Sequence, residues 1–454
     1  MTAPTPFGKP MRELFPFAPT YRNINHGSYG TYPTAVRDAR FQLLNDHEAR
    51  AEIYKRLSIP PLLTKAREAL LPLLGPDVSL DEVVIVPNAT TGVNTVLQNV
   101  SAKWSAPAPD AGDAVLYFTP IYGACGKTLQ YLGQVGRLHP VEVHVTFPQD
   151  DDDAVVQKLR DAYAAATARG LKVRMALFDT IVSAPGVLLP WERLTEACRE
   201  LGILSLVDGA HGIGHIDLTH LGKVSPDFFV SNVHKWLFTP RGCAVFYVPL
   251  RNQHYIDTSL PTSWGYELPA DRNKMAPKPS VVAPPSTYFV DLFGDVGTMD
   301  YSQWLCIPTA VKFRKEVCGG EEAIRTYCID LVRKGSERVA AILGTEVMDN
   351  PRSNMRQCAM ANVRLPFSVL PAAEIAADDA TTVSVEKFEP MLGWLTKYSY
   401  DKFDTYFRIT YYEGHPWVRV SAQVYLDEED FEWAGQTLKA LVDVVMTGAW
   451  KAEV

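Results

Sequence analysis

The feature that most constrains this chain is a repeated alternation between short apolar, β-branched runs and stretches with helical periodicity. The alternation extends from about residue 50 to residue 300, and a typical helical stretch is Trp191–Leu201, where apolar residues recur on one face. The candidate strands are Val83–Val86, Ala114–Phe118, Met175–Phe178, Leu204–Val207, Phe228–Ser231 and Cys243–Val248. Strands separated by helices predict βαβ units, and therefore an α/β fold with a large, mostly parallel sheet.

The pattern changes after about residue 305, which predicts a second, smaller α+β domain. Its expected elements are two helices flanking Gly319-Gly320, strands at Cys358–Leu365 and Trp417–Ser421, a surface insertion at Ala372–Thr382 and a helix at Glu428–Met446. We therefore expect three parts: an N-terminal segment, residues 1–45, that packs on the small domain; a large domain, residues 46–305; and a small C-terminal domain, residues 306–454.

The composition limits the kinds of binding partner that we expect for this protein. Hydrophobic residues make up 47% of the 454 residues and charged residues 21%, which is typical of a globular protein in water. The formal net charge of −8 gives no reason to expect nucleic acid or an anionic membrane as a partner. The seven cysteines include no CxxC pair, so we expect reduced thiols and no metal site. Neither a secretory signal nor a membrane span is recognisable, which predicts a cytoplasmic protein.

Two charged residues follow neighbouring candidate strands. Asp208 comes directly after Leu204–Val207, and Lys235 follows Phe228–Ser231. Ligands of parallel sheets bind beyond the carboxyl ends of the strands, so both side chains are expected to face one crevice. A lysine amine and a carboxylate are what pyridoxal 5′-phosphate (PLP) requires: the amine forms a Schiff base, and the carboxylate keeps the pyridine nitrogen protonated.

Two further segments suit the same cofactor. Ala89, Thr90 and Thr91 lie between a strand and an amphipathic helix, where free N–H groups and hydroxyls can bind a phosphate. Tyr122 could place its flat ring against the cofactor ring. Cys125, close to Tyr122 in the chain, is open to two interpretations: a nucleophile or proton donor, or a small packing residue.

Three motifs together resemble the class V aminotransferase-like enzymes, which depend on PLP. They are Val207–Gly212, Ser231–Gly242 with the candidate lysine inside it, and Gly297–Asp300. Their order and spacing extend the resemblance over nearly the whole chain. It implies the PLP-dependent transferase fold of type I, with Lys235 as the catalytic, cofactor-bearing residue and Asp208 as the partner of the pyridine nitrogen.

The resemblance also implies roles around the cofactor. His211 stands where family members place a Gln or His near the phenolic oxygen. Asn232 and His234 occupy positions on the phosphate side of the lysine. Thr298 resembles a threonine that reaches the phosphate of the neighbouring subunit, which implies a homodimer with shared active sites.

Substrate binding is implied by two more segments. Arg419 matches the arginine that grips the α-carboxylate of an amino-acid substrate, a role that suits the planar guanidinium fork. Asn25 and His26 belong to a turn that resembles the N-terminal loop closing over the substrate. The expected partner is therefore a small-molecule substrate, a modified L-amino acid.

The reaction is less constrained than the cofactor. Within the family, the chain resembles a fungal group once described as isopenicillin N epimerase-like, which includes a loline-pathway aminotransferase-like enzyme and hercynylcysteine sulfoxide lyase. Compared with the lyase, the chain lacks a basic cluster at Tyr411–Pro416 and has Glu142 near the position of an active-site cysteine. These departures favour a substrate with a cationic or iminium side chain, and thus a Mannich-type, ring-forming step in alkaloid biosynthesis.

Two alternatives stay open. The first is a C–S lyase like the ergothioneine-pathway enzyme. The second belongs to another class, a PLP carrier without turnover, although a carrier would have no need of Arg419. Trp264 is equally compatible with the substrate pocket and with core packing.

Overall fold

The structure is a computed structural model that describes residues 3–104, 112–272, 287–376, 379 and 382–452. The strands are β1 (Val83–Val86), β2 (Gly112–Phe118), β3 (His139–Val143), β4 (Leu171–Asp179), β5 (Leu204–Asp208), β6 (Phe228–Asn232), β7 (Ala244–Tyr247), β8 (Met360–Arg364), β9 (Ser368–Leu370), β10 (Thr382–Ser384), β11 (Arg408–Tyr412) and β12 (His415–Ser421).

The helices alternate with these strands in the first part of the chain. They are α1 (Lys9–Arg12), α2 (His26–Tyr29), α3 (Thr34–Ala49), α4 (Ala51–Ile53), α5 (Ile59–Leu74), α6 (Ala89–Ser101), α7 (Gly123–Gln134), α8 (Asp152–Ala168), α9 (Trp191–Leu201), α10 (Leu221–Val224), α11 (Val233–Trp236), α12 (Tyr288–Gly294), α13 (Ser302–Leu305), α14 (Ile307–Glu316), α15 (Glu321–Leu343), α16 (Val385–Phe403) and α17 (Glu428–Met446). A π-helical turn, Tyr54–Ser58, joins α4 to α5.

The large sheet has seven strands in the order β1-β7-β6-β5-β4-β2-β3. Strand β7 runs antiparallel to β1 and β6, and the other adjacent pairs are parallel. Helices cover both faces, so the strands inside the sheet are largely apolar; Leu206 and Val207, consecutive in β5, enter separate apolar clusters on opposite faces. The predicted α/β fold with a mostly parallel sheet is confirmed.

Most of the sheet follows the predicted strands. The strand β1 and the helix α9 have the predicted bounds, and β4 extends further at both ends than the predicted run Met175–Phe178. Strand β3 was not predicted. It lies at the sheet edge and contains Pro140, which an edge strand tolerates because one side of it needs no ladder hydrogen bond.

The small domain is built on an antiparallel sheet in the order β11-β12-β8, which is covered by α15, and α17 packs against α15. N-terminal residues share its core: Met11, Phe15 and Ile24 lie in one apolar cluster with residues of β12 and α17. The amide of Ser421 also donates to the carbonyl of Ile24 at 2.8 Å. These contacts support the proposal that the N-terminal segment belongs with the small domain.

The expected insertion at Ala372–Thr382 is only partly within the described residues. Residues 372–374 form an exposed 3-10 turn, and Thr382 is buried at the start of β10. Across the described ranges, no helix is at once long enough and apolar enough to cross a bilayer.

Candidate active site

Two buried carboxylates end adjacent strands of the large sheet. Asp179 is the last residue of β4 and Asp208 the last of β5, and the parallel register places them side by side. The carboxylate of Asp208 accepts hydrogen bonds from the amide of Ala210 at 2.9 Å and from the thiol of Cys125 at 3.4 Å. Burial raises the pKa of both carboxyl groups, and the charge of Asp208 raises the pKa of Asp179 further.

Lys235 lies in the short helix α11, directly after β6, and its side chain is buried. Its Nζ is 3.1 Å from Nε2 of His211 and 6.0 Å from the centroid of the Tyr122 ring. Burial and the nearby charge of Arg419 lower the pKa of Lys235 to about 8, although Asp208 and Asp179 oppose the shift. A substantial fraction of the amine is therefore neutral, and nucleophilic, near physiological pH.

His211 lies between Lys235 and Trp236. The indole Nε1–H of Trp236 donates to Nδ1 of His211 at 3.1 Å, on the far side of the ring from the lysine. Burial, followed by the charge of Lys235, holds the pKa of His211 well below its ordinary value. The imidazole is therefore neutral beside the lysine amine.

The predicted phosphate turn begins α6, a helix of 13 residues capped by Asn88. The side chain of Asn88 accepts from the amide of Thr91 at 2.8 Å. The amide of Ala89 donates to Asn232 Oδ1 at 2.9 Å, so Asn232 links this turn to the end of β6. Thr90 and Thr91 are partly exposed at this helix N-terminus, where their hydroxyl groups and the positive end of the helix dipole suit an anion.

His234 precedes the lysine and holds the local backbone. Its Nδ1 hydrogen-bonds the carbonyl of Cys243 at 2.8 Å, and burial lowers its pKa to about 4. The N-terminal loop lies directly against this segment: Gly30 has φ +63°, and a Cβ there would approach the carbonyl oxygen of His234 to 2.1 Å. Only glycine fits at this contact, which keeps the loop close to Lys235.

Tyr122 stands at the start of α7 and is 45% exposed, although its ring faces the buried Lys235. An exposed aromatic face next to a buried amine is suited to stacking on a flat ligand. Cys125, one turn further along α7, is fully buried with its thiol on Asp208, and burial raises the pKa of that thiol. Its position is that of a packing and hydrogen-bonding residue, and the thiol is not available as a surface nucleophile.

Arg419 reaches the same crevice from β12 of the small domain. Its guanidinium donates to the carbonyl of Ser183 at 2.6 Å, to Asn25 Oδ1 at 2.8 Å and to Ser28 Oγ at 2.8 Å. Among the described residues its acceptors are thus all neutral, and its Nε, also buried, has no partner. Burial and the charge of Arg408 lower its pKa to about 10. A buried cation without a carboxylate partner suits an anionic ligand.

The structure leaves the expected roles of two site residues, His26 and Thr298, as proposals. His26 is fully buried, hydrogen-bonded through Nδ1 to Tyr425 at 2.9 Å and packed 5.0 Å from the Trp236 ring. It packs behind the lysine helix, whereas Asn25 contacts Arg419 directly. Thr298 is exposed in the segment between α12 and α13, so its reach to a second subunit stays a proposal.

Three site residues were not predicted. Asp179 ends an apolar strand just as Asp208 does, so the same sequence signal would have found it. Trp236 follows the lysine directly, but its contact with His211 depends on the fold. Ser183 carries no sequence signal, because it binds Arg419 mainly through a backbone carbonyl.

These residues fit PLP. The buried amine of Lys235, the carboxylate of Asp208, the N-terminus of α6 and the exposed face of Tyr122 supply the four kinds of group that the cofactor needs. No group of three or more metal-ligating side chains is assembled in the described ranges of the chain.

Comparison with known proteins agrees with this chemistry. Residues 61–263 match the family model described as aminotransferase class-V. The chain is 37% identical over 452 residues to the L-cysteine desulfhydrase-like protein lolT1 of Epichloe uncinata, covering 97% of each chain. It is 30% identical over 435 residues to the hercynylcysteine sulfoxide lyase of Schizosaccharomyces pombe, covering 95% of this chain and 97% of the lyase.

Solved structures show the same fold at lower identity. A variant of C-DES with glycine covalently linked to the PLP cofactor superposes with a TM-score of 0.69 at 18% identity, over 95% of this chain and 99% of C-DES. The cysteine desulfurase CsdA from Escherichia coli gives a TM-score of 0.66 at 15% identity, over 96% of this chain and 98% of CsdA. With its type I fold and a crevice suited to PLP, the chain belongs to the class V aminotransferase family of PLP-dependent enzymes.

Proposed function

We propose that this protein is a PLP-dependent enzyme that removes the α-proton of an L-amino acid. The observation that carries the proposal is the buried amine of Lys235, whose pKa is lowered to about 8 beside the carboxylate of Asp208 and the cation of Arg419. An amine of this kind can both hold the cofactor and, once released, accept a proton near neutral pH.

Three residues of the chain have separate roles in the proposed reaction. Bound PLP supplies an electron-withdrawing ring, and Asp208 keeps that ring protonated at its nitrogen. Arg419 binds the α-carboxylate with its guanidinium fork, exchanging neutral acceptors such as Asn25 and Ser28 for a charged one. Lys235 then takes the α-proton. A pure PLP carrier needs no carboxylate-binding arginine, which disfavours that alternative.

We further propose that the step after proton removal is ring closure of the Mannich type, in alkaloid biosynthesis. The resemblance of the sequence motifs to the loline-pathway group supports this choice, whereas the name of lolT1, L-cysteine desulfhydrase-like, by itself favours the lyase. The two sequence departures add little to it. Glu142 is exposed on the edge strand β3, and Glu413, in the β11–β12 turn, lies six residues, about 20 Å of strand, from Arg419.

A C–S lyase is the second candidate. It is favoured by the names of the relatives, which include the sulfoxide lyase of Schizosaccharomyces pombe and an L-cysteine desulfhydrase of Arabidopsis thaliana at 29% identity over 437 residues. Both candidates share proton removal at the α-carbon, so they differ only in the bond that is made or broken next.

Three measurements separate these possibilities. In deuterated water, proton NMR should show loss of the α-proton signal from accepted amino acids, and the Lys235→Ala variant should show none. Rapid pyruvate release from cysteine-conjugate sulfoxides would support the lyase and contradict ring closure. If no member of a broad amino-acid panel exchanges its α-proton or changes the cofactor's visible absorbance, the carrier is the better description.

We also propose a cytoplasmic homodimer in which Thr298 contributes to the neighbouring active site. Light scattering on the purified holoprotein should give twice the mass of the 50.4 kDa chain. A monomer that retains full activity would remove this part of the proposal.

A further inference from the structure

Trp236 stands between two buried histidines of the active site. Its indole N–H donates to Nδ1 of His211 at 3.1 Å, and its ring stacks on His215 with centroids 3.8 Å apart and an interplanar angle of 26°. All three side chains are buried. The tryptophan therefore contacts His211, and His211 in turn lies beside the amine of Lys235.

The hydrogen bond from Trp236 selects one form of His211. An indole N–H is a donor only, so Nδ1 of His211 must offer a lone pair. The ring is neutral, because burial and the charges of Lys235 and Arg419 lower its pKa. A neutral imidazole with an unprotonated Nδ1 carries its proton on Nε2, which is the nitrogen 3.1 Å from Lys235 Nζ.

His215 fixes the tryptophan in turn. Its Nδ1 hydrogen-bonds the carbonyl of His211 at 3.0 Å, and its Nε2 accepts from the amide of Ala359 at 2.6 Å, so both ring nitrogens are held. The carbonyl of Trp236 also accepts from Arg314 at 2.7 Å. The indole thus has a fixed orientation, and its N–H remains directed at His211.

We propose that Trp236 is a positioning residue that locks His211 in its Nε2–H tautomer, so that His211 is a permanent donor beside the nitrogen of Lys235. This inference rests on the proposed function, in which that nitrogen is joined to PLP. The phenolic oxygen of PLP is adjacent to the joined carbon, so the Nε2–H donor would stabilise the negative oxygen. The tautomer also excludes His211 as a proton acceptor at Nε2.

A pH titration of the holoprotein's visible absorbance tests the proposal. A donor to the phenolic oxygen stabilises the form in which the linking nitrogen has lost its proton, and it therefore lowers the pH midpoint of the absorbance change. In Trp236→Phe, His211 is free to change tautomer, and the midpoint should rise by about one pH unit, a tenfold change in the proton dissociation constant.

The matched control is Trp191→Phe, since Trp191 is equally buried in the large domain and packs at a tilt against the rings of His220 and Phe229. Its midpoint should stay unchanged. A second control is the His211→Phe background, in which Trp236→Phe should have no further effect, because the donor is already absent.

An unchanged midpoint in Trp236→Phe would overturn the proposal, as would an equal shift in the His211→Phe background. If Trp236→Phe does not fold, the benzothiophene analogue of tryptophan at this position keeps the ring shape, lacks the N–H and should give the same shift. Failure of the proposed function would look different: the wild-type protein would then exchange no α-proton of any amino acid, whereas the midpoint shift in Trp236→Phe would remain.

Discussion

The charged side chains at the two ends of the large sheet lie in different surroundings. At the carboxyl end, Asp179, Asp208 and Lys235 are buried, and their pKa values are displaced from the ordinary ones. At the amino end, a cleft of about 610 Å³ is lined by Arg174, Arg199, Lys223 and Arg251. There, Arg174 pairs with Asp113 and Arg251 with Asp227, and both guanidinium groups are partly exposed.

The two ends differ in how their charged groups affect the stability of the fold. Partly exposed ion pairs contribute about 0–1 kcal/mol each. A buried charge without a close ion-pair partner destabilises the folded state. Proteins retain such charges where the displaced pKa values serve a reaction. Substitutions at the carboxyl end should therefore change activity, whereas matched substitutions at the amino end should leave it intact.

The largest difference is expected between two lysines. Lys235→Ala should lower turnover at least about a thousandfold, because the covalent link to PLP and the proton acceptor are both lost. Lys223→Ala, at the cleft on the other end, should leave turnover within about twofold of wild type. Steady-state rates of the two variants test this expectation. Equal losses of turnover would show that the two ends of the sheet do not differ in their importance for activity.

The next difference is between two aspartates. Asp208→Asn should lower turnover about a hundredfold, since losing a charged hydrogen bond to the ring nitrogen costs about 2.7 kcal/mol. Asp227 accepts from the Ser205 amide and from Asn252 at the amino end. Asp227→Asn should lower the free energy of unfolding by about 1–2 kcal/mol with little change in turnover. Denaturant titrations and steady-state rates should show that Asp208→Asn mainly loses turnover and that Asp227→Asn mainly loses stability. A loss of stability without a loss of turnover in Asp208→Asn would contradict the role of Asp208.

A smaller effect is expected for substrate capture. Arg419→Lys should raise KM about tenfold with a smaller change in kcat, because an ammonium cannot reproduce the two-pronged contact. Arg408 lies opposite Arg419 in the β11–β12 register but is exposed, so Arg408→Lys should leave KM within about twofold. An unchanged KM in Arg419→Lys would remove this residue from the substrate site.

The smallest effect is a shift in pH dependence. Burial favours the neutral amine of Lys235, so covalent uptake of PLP by the apoprotein should accelerate with pH through a midpoint near 8 and level off above it. The ordinary lysine pKa of 10.5 would instead give a rise that continues beyond pH 10. Arg419→Met removes a cation that lowers this pKa, so its midpoint should move upward. Stopped-flow absorbance measures both midpoints.

Much of the large domain could be predicted from the sequence, because strands buried on both faces are apolar runs bounded by polar residues. Asp208 and Lys235 were found for the same reason, as charged residues that follow such runs. The helix α16 and the strand β11 were missed; their exposed positions interrupt the apolar pattern. The interior position of His26 depends on its packing with Tyr425, nearly 400 residues away, and no local pattern carries that information.

The contact between Trp236 and His211 shows the same limit within the site. The two residues are 25 positions apart, and their hydrogen bond depends on how the turn after β5 meets the helix after β6. The family resemblance placed both segments at the cofactor but did not specify this contact. Residue roles that depend on a single hydrogen bond therefore require the structure.

We propose above all that Lys235 holds PLP at the carboxyl end of the sheet. The most direct measurement is borohydride reduction of the holoprotein, followed by proteolysis and mass spectrometry of the modified peptide. The reduced cofactor should be found on the peptide that contains Lys235, and on no other. An adduct on a different lysine, or a reduced holoprotein with no adduct, would contradict the account.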